Sequence, residues 1–252
     1  MTFDVAAEAY DRFMGRYSVQ LAPKLADFGG VRPGQRALDV GCGPGALTGE
    51  LVRRLGGDAV TAVDPSEPFV AAAKARHPTV DVQRASAEYL PFEEGVFDAA
   101  LAQLVVHFMA DPVAGLREMA RVTRPRGVVA ACVWDHAGDR TPLAAFWSAA
   151  RELDPGVHDE SDLAGAREGH LSDLLAQAGL QSVEESTIEA AVELPSFDVW
   201  WEPFTLGVGP AGAYAKSLDD SALARVRDRC RELLAGPPIT VNAVAWAARG
   251  SA

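Results

Sequence analysis

Apolar positions along this chain follow two periods, and between residues 36 and 134 the periods take turns. Residues 36–40 read as a short buried strand, and 46–55 as a helix whose Leu47, Leu51, Val52 and Leu55 share one face. The alternation continues with strands over 59–63, 80–84, 96–102 and 127–134, and helices over 66–76 and 112–122. Strands separated by helices indicate an α/β fold with a parallel sheet covered on both faces. The helix at 112 has a marked start: Asp111 can cap the free amides, and Pro112 occupies the first helical position, where a missing N–H costs nothing. Val113, Leu116 and Ala120 then face the sheet.

Outside this core the pattern changes. Residues 4–28 predict a helix with Phe13, Val19, Leu21 and Leu25 among polar positions, ended by the breaker Phe28-Gly29-Gly30-Val31-Arg32-Pro33-Gly34. Beyond Trp134, residues 141–153 predict a helix, 154–168 an acidic loop, and 171–178 a short helix. Strands over 182–188 and 239–247, expected to pair antiparallel, are separated by Trp200-Trp201-Glu202-Pro203-Phe204 and a helix over 221–234. Trp200 and Trp201, read on a strand, should serve different faces. One domain over 1–252 follows, with a helical cap at 1–30, a binding core at 31–134, a lid inserted over the sheet edge at 135–180, and the C-terminal strands and helix at 181–252. Arg225, Arg227, Arg229 and Arg231 have helical partners at Leu223, Val226, Cys230 and Leu233 and read as a solvated helix face, with an anion-binding patch as the alternative.

Composition narrows the function classes. The chain has 252 residues, 48% hydrophobic and 23% charged, with no run near the length of a membrane span, so a soluble protein without a membrane partner is expected. Its first residues lack a secretory pattern, and the expected location is cytoplasmic. Cys42, Cys132 and Cys230 have neither disulfide pairing nor zinc spacing and read as reduced structural thiols. The formal net charge is -12, and residues 151–200 hold twelve Asp or Glu against two Arg. Such a field repels phosphate backbones, so no nucleic-acid partner is expected.

The chemistry concentrates at the first strand-to-helix turn, Asp39-Val40-Gly41-Cys42-Gly43-Pro44-Gly45. Glycine permits positive φ there, and a missing Cβ lets a ligand lie against the backbone. Asp39 can receive a ligand's ammonium, and Asp64, ending the next strand, can accept both hydroxyls of a ribose. The string Gly41-Cys42-Gly43-Pro44-Gly45-Ala46 also satisfies the dinucleotide fingerprint, which keeps an NAD(P)-dependent oxidoreductase in view. Asp39, the third glycine and the closing antiparallel strands favour S-adenosylmethionine instead. A non-catalytic regulator binding that donor on the same fold is a further alternative.

Ala37-Leu38-Asp39-Val40-Gly41-Cys42-Gly43-Pro44-Gly45, Val63-Asp64-Pro65-Ser66, Ala87-Glu88-Tyr89-Leu90-Pro91-Phe92, Phe97-Asp98-Ala99-Ala100 and Arg124-Pro125-Arg126-Gly127 occur in this order. The sequence in this respect resembles the class I methyltransferases, in particular the type 11 small-molecule enzymes that include the ubiquinone and menaquinone C-methyltransferases. The resemblance implies a Rossmann-like seven-stranded sheet with the last strand antiparallel, and S-adenosylmethionine across the C-terminal ends of strands one to four. It implies Gly41, Gly43 and Gly45 on the methionine part, Asp64 on the ribose, and Pro65 and Ser66 beside the adenine. Many relatives place Asp where this chain has Ser86, whose neutral oxygen should hold the adenine amino group more weakly, by about 1 kcal/mol or less, leaving more to the backbone at Ala87. Main-chain carbonyls of Gln103 or Leu104 would meet the donor ammonium. Tyr10, Arg16 and Tyr17 match a segment that folds over the donor, with Arg16 pairing the donor carboxylate or, alternatively, facing solvent.

The expected activity is transfer of a methyl group to a small-molecule acceptor. His107 is the best-placed titratable group for removing an acceptor proton, with acceptor contact or a structural role as alternatives. Trp134, Phe146, Trp147, Trp200 and Trp201 could line an apolar acceptor pocket or pack in the core. Asp135, His136 and Asp139 follow the fifth strand, read as a solvated turn, and no metal is expected.

Overall fold

The computed structural model describes residues 7–234 and 236–252. Residues 4–6 of the expected first helix, and the leading residues read for a targeting signal, lie outside the described residues. From Ala7 the helical run is continuous: α1 (Ala7–Tyr10), a π-helical turn (Asp11–Gly15) and α2 (Arg16–Phe28). The wider turn falls where Gly15 sits, and such turns commonly mark functional sites.

The core alternation is realised as β1 (Ala37–Val40), α3 (Ala46–Leu55), β2 (Val60–Asp64), α4 (Glu67–Arg76), β3 (Asp81–Arg84), β4 (Phe97–Gln103), α5 (Pro112–Val122) and β5 (Thr123–Trp134). Then come α6 (Ala144–Leu153), α7 (His170–Gln177), β6 (Gln181–Leu194), α8 (Phe197–Trp201), α9 (Gly209–Ser217), α10 (Asp220–Leu233) and β7 (Ile239–Ser251). The sheet has seven strands in the order β3-β2-β1-β4-β5-β7-β6. Strands β1 to β5 pair in parallel, and β7 runs antiparallel to both β5 and β6.

Side chains alternate across the strands with the two-residue period, and each set meets its own helices. Leu38, Val40, Ala100, Ala102, Val129 and Ala131 pack with Leu116 and Met119 of α5 and Leu171 and Leu175 of α7. Ala37, Ala62, Leu101, Ala130 and Cys132 face Leu21 and Leu25 of α2 and Leu47 and Leu51 of α3. Asp111 caps α5 as its position requires, accepting the Ala114 amide at 2.9 Å. On that helix Leu116 is buried but Val113 and Ala120 only partly so, and Met119 and Val122 take the other core positions.

Three expectations need correction. The segment 135–180 is not one lid: α7 lies on the sheet with β6, β7 and α5, whereas α6 packs against α10 from the segment between β6 and β7. The α6–α10 packing therefore joins two separate stretches of the chain. Trp200 and Trp201 sit on the short helix α8, and both are buried in one aromatic cluster, so the opposite-face reading fails with the strand it assumed. The arginines of α10 are not simply solvated: Arg227 pairs Asp198 at 2.8 Å, Arg229 pairs Glu152 at 2.6 Å, and Arg231 lies 4.3 Å above the Phe197 ring.

Candidate functional site

The chain moves outward from β1 through β2 to β3, then returns to β4 on the other side of β1, which opens a crevice at the C-terminal ends of β1 and β4. Two cavities fill it. The first, about 310 Å³, is lined by Tyr10, Ser18, Asp39, Gln103 and the turn from Gly41 to Gly45. The second, about 410 Å³, is lined by Asp64, Pro65, Ser66, Phe69, Ser86, Ala87, Phe108 and Met109. Gly41 borders both. Its φ is +71°, and a Cβ there would lie 2.4 Å from Val105 Cγ2, so only glycine fits. Gly43, at φ +53°, has open space where a Cβ would be, leaving its backbone accessible to a ligand.

Asp64 ties the turn to the second strand. Its Oδ2 accepts the Gly43 amide at 2.8 Å and its Oδ1 accepts the Ser66 amide at 2.8 Å. A carboxylate has about four acceptor sites, so two remain for a vicinal diol. Burial raises its pKa, and the two amides oppose that shift. Asp39 is buried and accepts the Thr48 hydroxyl at 2.6 Å through Oδ2, while Oδ1 has no hydrogen-bond partner among the described residues. Burial pushes its carboxyl up to about 7, against the opposing Thr48 hydrogen bond. Gln103 donates from Nε2 to the Ser18 carbonyl at 3.1 Å, which leaves Oε1 buried and likewise unpartnered among the described residues. The first cavity thus presents two spare acceptors, which suits a cationic ligand.

The remaining candidates divide. Tyr10 lines the first cavity and stacks edge-on against Phe69, with burial pushing its hydroxyl up to about 12. Arg16 is not brought to either cavity: its guanidinium donates to the Val199 carbonyl at 3.4 Å and to the Arg12 carbonyl, reaching across to α8. Tyr17 is buried edge-on against Trp134, at a centroid distance of 6.3 Å. Arg16 thus links the N-terminal helical run to α8, and Tyr17 links it to β5.

A third cavity, about 30 Å³, lies beyond Tyr10 and Phe108, which it shares with the first and second respectively. Leu104, Trp134 and His107 line it. Leu104 holds φ +58°, an uncommon conformation for a branched residue, fixed by its amide bond to the Cys132 carbonyl at 2.9 Å. Phe146, Trp147 and Trp201 do not line it: Phe146 stacks on Phe204 at 4.6 Å, and Trp147 donates to Glu160 at 2.9 Å. Trp200 borders only a small cleft beside Pro203 and Phe204. These four pack in one aromatic cluster.

The third cavity also holds two groups that sequence reasoning did not place there, His136 and Glu160. The expected solvated turn after β5 is exposed from Ala137 to Arg140, but Asp135 and His136 at its start are buried. Asp135 accepts from Arg140 at 2.5 Å and from Trp246 Nε1 at 3.0 Å, and His136 is 4% exposed. Glu160, drawn from the acidic loop, is buried against Trp147. Burial pushes Glu160 up to about 7 and His136 down to about 4, and it lowers His107 well below the usual imidazole range, with His136 adding to that shift. His107 is therefore neutral at neutral pH, and weakly basic.

Residues 38–131 match the methyltransferase domain family. Over 127 residues the chain is 35% identical to a malonyl-[acyl-carrier protein] O-methyltransferase of Erwinia billingiae, covering 50% of this chain and 49% of that protein. It is 36% identical over 127 residues to a demethylmenaquinone methyltransferase of Beutenbergia cavernae, with the same two coverages. The chain thus spans about half the length of these curated relatives. A SAM dependent methyltransferase from Aquifex aeolicus shares the fold, with a TM-score of 0.52 at 23% identity over 70% of this chain and 87% of that one. Residues 38–131 thus match a methyltransferase domain, and the chain shares the fold of S-adenosylmethionine-dependent methyltransferases.

Proposed function

We propose that the protein methylates a small-molecule acceptor. The observation that carries this reading is the pair of spare buried acceptors, Asp39 Oδ1 and Gln103 Oε1, in the cavity beside the glycine turn. Both suit the positively charged methionine end of the donor. Asp64 keeps acceptor sites for the ribose, and the Pro65, Phe69 and Met109 surfaces of the second cavity suit a planar base. Ser86 and Ala87 line that same cavity. A pyrophosphate at the turn would instead face the Asp39 carboxylate, which disfavours a dinucleotide.

Bound there, S-adenosylmethionine supplies an activated methyl for in-line displacement, with S-adenosylhomocysteine as the product. The chain's own contribution is alignment and exclusion of water. Tyr10 and Phe108 stand at the border between donor and acceptor cavities, and Leu104 and Trp134 shape the acceptor side. About 30 Å³ admits only the reacting end of an acceptor, so the body of the molecule lies outward, toward the lid. His107 enters this reading as an acceptor-side group.

Calorimetric titration with S-adenosylmethionine and, separately, with NADH tests the assignment, followed by incubation with labelled donor and a panel of phenols, quinols, amines and acids. Donor binding with label transfer to one acceptor class is expected. Binding of NADH without donor binding would overturn it, and donor binding with no transfer across a full metabolite extract would leave a non-catalytic binder.

A further inference from the structure

We propose that His107, His136 and Glu160 bind one divalent transition-metal cation, of the zinc or ferrous type, in the wall of the acceptor cavity. One ligand atom from each residue lies within 4.8 Å of the other two, and all three residues are buried. Around a cation with bonds of about 2.0–2.2 Å, tetrahedral ligands stand roughly 3.4 Å apart, so small side-chain rotations bring the three atoms onto one centre.

The histidines have no competing role in the fold. Among the described residues, neither ring nitrogen of His136 nor Nδ1 of His107 has a hydrogen-bond partner, although His136 is 4% and His107 7% exposed. Buried polar side-chain atoms nearly always have partners, and both residues line the same small cavity, where one nitrogen of each ring is free for a ligand. The two rings approach to 5.9 Å between centroids.

The donor set selects the metal. Two imidazoles with one carboxylate suit borderline cations such as Zn²⁺ and Fe²⁺, whereas Mg²⁺ and Ca²⁺ favour oxygen alone. The supporting shell is in place as well. Trp147 Nε1 donates to Glu160 Oε2 at 2.9 Å and orients the carboxylate. The turn carrying Glu160 is anchored by Asp159, which pairs with Arg151 and accepts the Ser161 amide. The loop carrying His136 is joined to the other by the bond from the Ala137 amide to the Ala166 carbonyl at 3.1 Å.

Three protein ligands leave a coordination position open, as in catalytic rather than structural sites. In this cavity that position takes an oxygen, nitrogen or sulfur donor on the acceptor. The acceptor role rests on the methyl-transfer reading; the metal site itself does not.

The test begins with chelator-stripped full-length protein, titrated with Zn²⁺ by calorimetry and with Co²⁺ by visible absorption, alongside Glu160→Gln, His136→Ala, Trp147→Phe and His158→Ala. His158 is exposed and outside the cluster, so its variant serves as the control. One equivalent should bind to wild type and to His158→Ala, with affinity reduced about 100-fold or more in the two ligand variants and roughly tenfold in Trp147→Phe. Glu160→Gln keeps the side chain's size and an oxygen for Trp147, so it remains informative if His136→Ala does not fold. Absence of uptake by wild type, or uptake unchanged in both ligand variants, overturns the proposal. Donor titrations run on stripped and loaded protein separate the two readings: metal uptake without donor binding refutes methyl transfer alone, and donor binding without metal uptake refutes the metal site alone.

Discussion

Replacing Asp64 by asparagine separates the two tasks of its carboxylate. Both oxygens already accept backbone amides, from Gly43 and Ser66, each at 2.8 Å. Asparagine keeps one acceptor oxygen and puts an NH₂ group where the other stood, so one amide of the turn meets a donor instead of an acceptor. A hydrogen bond to a charged group contributes about 1.5–3 kcal/mol, and the turn should lose roughly one such bond. The same substitution removes one of the two sites left for a ribose hydroxyl, which lowers donor binding by about 1.5–3 kcal/mol, or roughly ten- to a hundredfold in Kd. Because burial raises the Asp64 pKa, the comparison is run at several pH values, the ionised wild-type form gaining as the pH rises. Calorimetry with S-adenosylhomocysteine gives the affinity, and thermal unfolding without ligand gives the stability of the turn. A folded variant whose Kd stays within about twofold of wild type would refute the ribose role, since the predicted loss is at least one order of magnitude.

Two further perturbations address the same turn. Asp39 has a folded-state pKa raised to about 7, above its ordinary value of 3.8, so its contribution to stability is fully present below about pH 4 and is lost as the pH rises through 7. A cationic donor favours the ionised form, so donor affinity should rise across that upper range; Asp39→Asn should flatten both pH profiles, and an unchanged affinity profile in the variant would refute the coupling. Gly41→Ala combines a left-handed backbone with a Cβ 2.4 Å from Val105 Cγ2. Together these cost about 2–4 kcal/mol, lowering Tm by roughly 4–16 °C, and the companion Val105→Ala should recover only part of the steric cost, since Val105 Cβ would still lie 2.8 Å away. A Tm within about one degree of wild type would contradict the packing at the turn.

The parallel core was legible because its signals are local. A two-residue period, a glycine turn and the Asp111-Pro112 start each fix an element within a few residues, and the strand bounds moved by only one or two positions in β1 to β4. Legibility failed where burial depends on distant partners. Strand β6, expected over 182–188, runs on to Leu194 because its second half also pairs with β7, a partner distant in sequence. Trp200 and Trp201 lie in too short an apolar run to reveal its period, and α8 is started by Ser196, whose hydroxyl accepts the Val199 amide. Glu160 sits among acidic residues that suggest solvent, and only Trp147 on α6 explains its burial. His107 was legible as a candidate but not its company, since His136 and Glu160 arrive through loops that the periodic pattern does not describe.

The family match ends at residue 131, so the two stretches joined by the α6–α10 packing fall outside the part of the chain shared most widely with relatives. They are not interchangeable parts. Phe146 from the first stretch stacks on Phe204 from the second, and Phe13 of the N-terminal helical run meets Phe204 edge-on at 5.4 Å. A graft that moved one stretch alone would leave half of a stacked pair against a foreign surface. Change in this aromatic layer is therefore collective: three segments distant in sequence share it, and a substitution in one is felt by the other two.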